Sequence, residues 1–188
     1  MRYRLLFLAL SVTGACSHPP RPTHPARTAD CSFGPISDSA VAGLPIGATV
    51  ASVKEHCKVL LDTTLLGQEA LPERRLLVQI GVDTLVAVID SDRVWRIHVD
   101  SPRFRTQDSL HAGSPLSTLL RDSSAQALIG EGSYYVIMRS HCGLSFALPY
   151  IELPEPGDLN PTALRALPDT LTVQEILVVG CDIAERAT

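Results

Sequence analysis

The chain lacks any leading apolar run long enough to cross a bilayer. Leu5 to Val12 spans eight residues and is interrupted by Ser11, against the roughly 20 apolar residues a spanning helix requires. It also lacks an excess of positive charge. A net charge of −4 removes the general electrostatic reason to expect a nucleic-acid partner. There is no zinc-ligand spacing, no glycine-rich phosphate loop and no Gly-x-Ser-x-Gly elbow, so the commonest metal, nucleotide and serine-hydrolase signatures are missing. Asp90-Ser91-Asp92 begins like a calcium loop, but the third acid, the glycine and the distal glutamate are absent. It reads as a hairpin turn. No metal or cofactor is expected.

What is present starts with Met1 to Cys16. Arg2 and Arg4 precede the short apolar run, and the small residues Thr13, Gly14 and Ala15 precede Cys16. A charged start, an apolar core and small residues at a cut site are the parts of a secretory signal. The Thr-Gly-Ala-Cys end resembles the lipobox of bacterial lipoproteins, which implies cleavage that leaves Cys16 lipidated at the new N-terminus. Thr13 stands where that pattern favours leucine. The same residues also resemble an ordinary small-x-small cleavage site that would release a soluble periplasmic or secreted protein. Ser17 after the cysteine, rather than Asp, resembles the pattern of lipoproteins sent to the outer membrane.

Residues 1–15 are therefore expected to be the signal, 16–30 a lipidated linker and 31–188 one globular domain. In the linker, Ser17 to Asp30 holds four prolines and almost no large apolar side chain, so it reads as an extended spacer. His18 and His24 lie in it and read as solvated linker histidines. Hydrophobic residues at 45% and a mean hydropathy of +0.16 argue that the remainder packs a core. Four cysteines follow Cys16: Cys31, Cys57, Cys142 and Cys181. In an exported chain an even number reads as two disulfides. Three pairings are possible and sequence alone does not choose. The strand reading below favours Cys31–Cys57 and Cys142–Cys181, each worth about 3–4 kcal/mol in the chain-entropy account.

Periodicity then orders the body. Ala48 to Leu61 places Val50, Val53, Cys57 and Leu60 or Leu61 at helical spacing, with Gly47 and Thr49 at the helix start. Asp62 to Arg75 reads as a connection. Three strand-like runs follow: Leu76 to Ile80, Thr84 to Asp90, and Arg93 to Asp100. In the last, Trp95, Ile97 and Val99 alternate with Arg96, His98 and Asp100. A second helix is expected after Ser114-Pro115, with the serine as N-cap and the proline at the first helical position. Strand-like runs recur at Ser133 to Arg139, Gly143 to Leu148 and Thr172 to Val179. If the last two pair antiparallel, the start of one faces the end of the other and Cys142 meets Cys181.

The order helix, strand, strand, strand thus occurs twice, over about 44–101 and about 110–180. An offset of 66 residues sets Leu44 on Leu110, Gly47 on Gly113, Val50 on Leu116 and Val53 on Leu119, which points to a duplicated unit. The expected fold is α+β: two tandem helix-β-β-β units with short helices packed on antiparallel sheet. This order, with Leu44-x-x-Gly47-x-x-Val50 and its repeat at Leu110, Gly113 and Leu116, resembles the OmlA-like outer-membrane assembly lipoproteins and the beta-lactamase inhibitor protein. The resemblance implies a binding module and transfers no site residue.

Between Leu148 and Thr172 lies a long insertion without strand signals, of the kind that is often functional. Asn160-Pro161 in it could cap a helical turn ending before Pro168. For chemistry, Arg93, Arg96, His98, Arg103 and Arg105 form a basic cluster opposed only by Asp100. Arginine forks suit carboxylate or phosphate, which makes these residues candidates for contact with an anion or a partner. A solvated sheet face, paired with the acidic C-terminal region of the same chain, is the simpler reading. Ser140-His141-Cys142 invites a nucleophile reading, but adjacent strand residues point to opposite faces and a disulfide accounts for the cysteine; His56-Cys57 fails for similar reasons. The sequence therefore points to a non-enzymatic, envelope-anchored interaction module that meets an envelope protein or cell-wall partner. A small exported hydrolase using His98 with Asp100 or Ser101 is the alternative, and it lacks an identifiable oxyanion element.

Overall fold

Strand pairing, rather than helix packing, organises this chain. The computed structural model describes residues 27–67, 71–130, 132–151, 157–168 and 170–181. The signal, Cys16, His18, His24 and the spacer up to residue 26 lie outside the described residues. The last residues of the expected spacer belong to the body. Arg27 bridges to Ala48, and Ala29 is buried with its N–H donated to Ser52 Oγ at 3.0 Å. Three two-residue strands follow as a small antiparallel sheet: β1 Ile36–Ser37, β2 Ala40–Val41 and β3 Leu44–Pro45. Their apolar residues Ile36, Val41 and Leu44 enter the main core.

Helix α1, Val50–His56, starts at Thr49, whose hydroxyl accepts from Ser52 N–H at 3.1 Å. It buries Val50 and Val53. The expected extension to Leu61 does not occur. Cys57 is already extended (φ −122°, ψ 150°) and disulfide-bonded to Cys31, and Lys58–Leu66 forms strand β4. Leu60 and Leu61 fall at helical spacing from Val53 and Cys57, but pairing with the next strand overrides that local pattern. Strands β5 Pro72–Ile80, β6 Asp83–Asp90 and β7 Arg93–Val99 continue the meander. The expected Asp62–Arg75 connection is therefore mostly strand, and α1 is followed by four strands rather than three. Ser91 and Asp92 make the β6–β7 turn, with φ of +49° and +61°, the left-handed pair that a two-residue hairpin demands. A bulge on β7 leaves Trp95 without an opposite residue, so Val94 rather than Trp95 joins Ile97 and Val99 in the core.

Helix α2 is a single turn, Leu116–Leu119. Ser114 does not cap it: the N-cap is Pro115, and Ser114 Oγ instead accepts from His111 N–H at 2.9 Å. Strands β8 Gln126–Gly130, β9 Ser133–Ile137, β10 Leu144–Leu148 and β11 Glu175–Val178 follow, again four rather than three. Arg139–His141 is a short 3₁₀ turn, not a strand end. Helix α3, Pro161–Arg165, is capped as expected: Asn160 Oδ1 accepts from the N–H groups of Thr162 and Ala163 at 3.0 and 2.9 Å.

All eight strands from β4 onward form one antiparallel sheet in the order β4-β5-β6-β7-β11-β10-β9-β8. Its seam is β7 against β11, with Ile97 opposite Val178 and Val99 opposite Ile176. One face of this sheet carries the core, from Leu76, Ala87 and Ile97 across to Leu144, Phe146 and Val136. The buried residues of α1, α2 and α3 pack on it. The antiparallel β10–β11 pair brings Cys142 to Cys181, 4.9 Å between Cα atoms, and Cys31 meets Cys57 at 5.3 Å. Two such bonds indicate an oxidising, exported environment. No helix among the described residues is long and apolar enough to cross a membrane.

The two helix entries make the same hydrogen bonds. Gly47 N–H donates to Val94 O and Gly113 N–H to Val173 O, both at 2.7 Å. Val94 N–H returns to Ala48 O at 2.8 Å and Val173 N–H to Ser114 O at 2.9 Å. Val50 N–H reaches Asp92 O at 3.1 Å, and Leu116 N–H reaches Leu171 O at 2.8 Å. Gly47 and Gly113 have φ of +87° and +97°, a conformation that needs glycine.

Candidate interaction surface

Among the described residues, no helix packs on the sheet face opposite the core. Side chains alternate along each strand, so strand register names its occupants. One row across the sheet runs Leu61, Leu77, Val86, His98, Leu177 and Ser145 on β4, β5, β6, β7, β11 and β10. The next rows place Arg75 beside Val88 and Arg96, and Glu175 beside Ala147 and Tyr135. Val88, Ala147 and Leu177 are buried yet do not belong to the main core.

The polar side chains of this face hold one another. Arg96 Nη2 donates to Glu73 Oε2 at 3.1 Å, and Arg75 Nε donates to the other oxygen of Glu73. His98 Nδ1 meets Glu175 Oε1 at 2.8 Å, diagonally across the seam. His98 Nε2 is enclosed and makes no hydrogen bond among the described residues. The surface is thus a pre-ordered set of two arginines, a histidine and two carboxylates beside apolar residues.

Of the five basic residues expected to cluster, only Arg96 and His98 share this face. Arg93 Nη1 donates to Gly47 O at 3.1 Å and supports the first helix entry. Arg103 pairs with Asp83 at 3.3 Å. Arg105 is exposed, and its carbonyl accepts from Ile36 N–H at 2.8 Å. The expected acidic counter-region contributes Glu175 alone among the described contacts of this face. The residues of the hydrolase alternative are also dispersed: Ser101 Oγ donates to Asp83 Oδ1 at 2.7 Å, whereas His98 is held by Glu175, and Asp100 is exposed.

Elsewhere, titratable groups serve the frame. Cys142 is in a disulfide, and His141 lies 3.1 Å from Asp108 and 3.8 Å from Asp38. Burial would raise the Asp108 pKa, but the Thr106 hydroxyl and His141 outweigh it and lower the value. His56 Nδ1 donates to Ser52 O at 3.0 Å, away from its neighbour Cys57. Asp62 is clasped by Arg74 and by Lys54, which hold its carboxyl well below the usual range. Asp122 accepts from the Ser124 and Ser140 hydroxyls and from Ser124 N–H, and its pKa falls to about 2.

The sheet margins hold residues that sequence reasoning placed elsewhere, on a helix face or in connections. Leu60, Leu61, Leu65 and Leu66 on β4 are 47, 52, 50 and 72% exposed. The available signal was the pair of β-branched residues Thr63-Thr64 between leucine pairs, which suits a strand better than a connection. At the other margin, the long insertion folds back onto β8. Leu159 and Ala127 exchange both backbone hydrogen bonds, at 2.9 and 2.7 Å, and Asp158 Oδ1 accepts from Ile129 N–H at 2.9 Å.

No protein-family profile and no curated protein matches the chain. Among solved structures it is similar to the uncharacterized protein yfeY from Escherichia coli, with a TM-score of 0.56 and 15% identity over 78% of this chain and 99% of that one. At that identity the likeness is one of fold alone.

Proposed function

We propose that this protein is an envelope-anchored, non-enzymatic lipoprotein that meets an envelope protein through its open sheet face. Lipid on Cys16 would tether it, at the outer membrane and facing the periplasm, with the proline-rich segment as spacer. The observation that carries the reading is a sheet face on which no helix among the described residues packs and which bears the Arg75–Glu73–Arg96 and His98–Glu175 pairs beside the half-buried Leu77 and Val86. In such a surface the half-buried apolar side chains supply contact area and the pre-ordered charge pairs supply selectivity. The fold supports it as well. The matched hydrogen bonds at Gly47 and Gly113 favour duplication of one helix-plus-sheet unit, and joining two such units along β7–β11 makes a broad sheet from two small ones.

Capture from detergent-solubilised envelopes tests the reading. Wild type should enrich a partner that Arg96→Glu loses, with unchanged far-UV circular dichroism and melting temperature in the variant. Equal recovery by both proteins, or no partner with either, would overturn it. Intact mass of the membrane-extracted protein checks the tether: a mass without lipid on Cys16 would sink that part.

A further inference from the structure

β4 is the longest unprotected margin of the sheet. It runs nine residues and, among the described residues, pairs only with β5. Soluble proteins ordinarily guard such edges with charges, prolines or cover, because the free N–H and C=O groups accept another strand. The opposite margin obeys that rule through Leu159 and Asp158. β4 does not: its bulge at Leu60 comes early, and from Leu61 to Leu66 pairing to β5 is regular. Asp62 is the one charge in that stretch, and its salt bridges to Lys54 at 2.7 Å and Arg74 at 2.8 Å balance it.

The order of side chains along β4 says what fits there. Leu60-Leu61-Asp62-Thr63-Thr64-Leu65-Leu66 reads almost the same in reverse about Thr63. We propose that β4 is a self-association edge, on which a second copy of this chain pairs antiparallel about a two-fold axis at Thr63. That register sets Leu61 opposite Leu65 and Leu60 opposite Leu66, with Asp62 opposite Thr64 and Thr63 opposite itself. Apolar residues meet apolar residues, and no like charges oppose, as favourable cross-strand pairing requires. A two-fold axis needs a self-complementary patch, and a near-palindromic strand is one. Leu61 lies in the row that continues through Leu77 and Val86, so the open faces of both copies would become one surface. The dimer does not depend on the partner proposed for that face.

Sedimentation of the full-length protein in density-matched detergent tests the edge. The wild type is expected to be a dimer that dissociates on dilution, and Leu65→Lys should be monomeric at every concentration with an unchanged circular dichroism spectrum. Thr63→Cys provides an independent readout. Opposed Cα atoms about 4.5–5.5 Å apart fall within disulfide reach, so non-reducing gels should show a double-mass band that reductant removes. Gln126→Cys on the β8 margin should show none. A monomeric wild type would overturn the proposal, as would a dimer indifferent to Leu65→Lys. So would a β4 edge occupied by a different envelope protein in cross-linked membranes.

Discussion

The two ends of the eight-stranded sheet start from the same plan and finish differently. Each half opens with a positive-φ glycine, a short helix and four antiparallel strands, and each glycine donates a 2.7 Å bond, Gly47 to Val94 in β7 and Gly113 to Val173 just before β11. In the second half the connection before β11 is long, and Leu159 turns back to cover β8. In the first half that connection is the turn Ser91-Asp92, too short to reach anything, and no described residue beyond β5 pairs with β4. The difference lies in one loop rather than in the strands. A sheet edge is closed by whatever chain is available near it, and where the chain supplies none, the edge is left for another molecule.

The largest expected effect comes from the disulfides. Cys142→Ala with Cys181→Ala should cost about 3–4 kcal/mol, and Cys31→Ala with Cys57→Ala a similar amount, since both close loops of comparable length, 39 and 26 residues. Denaturant unfolding of each double variant measures this, and a near-zero cost for one pair would show that its half is held by packing alone.

The sealed and bare edges differ next. Leu159 is nearly buried, so Leu159→Ala should lose about 2–3 kcal/mol. Leu65→Ala, exposed on β4, should change the stability of the monomer by less than about 0.5 kcal/mol. Similar losses at both sites, measured at a dilution where the chain is monomeric, would abolish the contrast.

The helix entries should respond alike. Gly47→Ala and Gly113→Ala each force a Cβ into positive φ at an expected cost of about 1–2 kcal/mol. Melting curves that differ widely between the two would argue against equivalent entries.

The last contrast concerns acid. Asp122 has a depressed pKa of about 2 in the fold. Its contribution is therefore complete above the ordinary carboxylate value of about 4 and is lost as pH falls through about 2. Asp122→Asn should cost about 1 kcal/mol at neutral pH, and the gap from wild type should narrow on titration below about pH 4. A gap independent of pH would assign the loss to shape rather than charge.

Much of this was legible along the chain where the signal is local. The Ser91-Asp92 turn, the Asn160 cap and the alternation at Ile97 and Val99 depend on neighbours a few residues away. The periodicity of Val50 and Val53 likewise identified α1. The failures lie where two local patterns coincide. Leu60 and Leu61 fit a helix face as well as a strand, and Ser114-Pro115 fits a cap whether or not the hydroxyl is needed elsewhere. For the surface, Arg96 and His98 were correctly placed on one polar face, but their partners Glu73 and Glu175 lie 23 and 77 residues away in the chain. No spacing rule relates them.

By itself the sequence determined the cysteine count, the strand-rich composition and the alternation that turns Ile97 and Val99 toward the core. These are properties of short windows, set by side-chain chemistry and backbone period. Tertiary structure alone decided that β7 and β11 form the seam, that Leu159 closes one margin and that β4 is the other margin among the described residues. Strand partners are selected by the register of long-range hydrogen bonds and by the burial they allow, and a strand's own residues are compatible with several neighbours until the chain is folded around them.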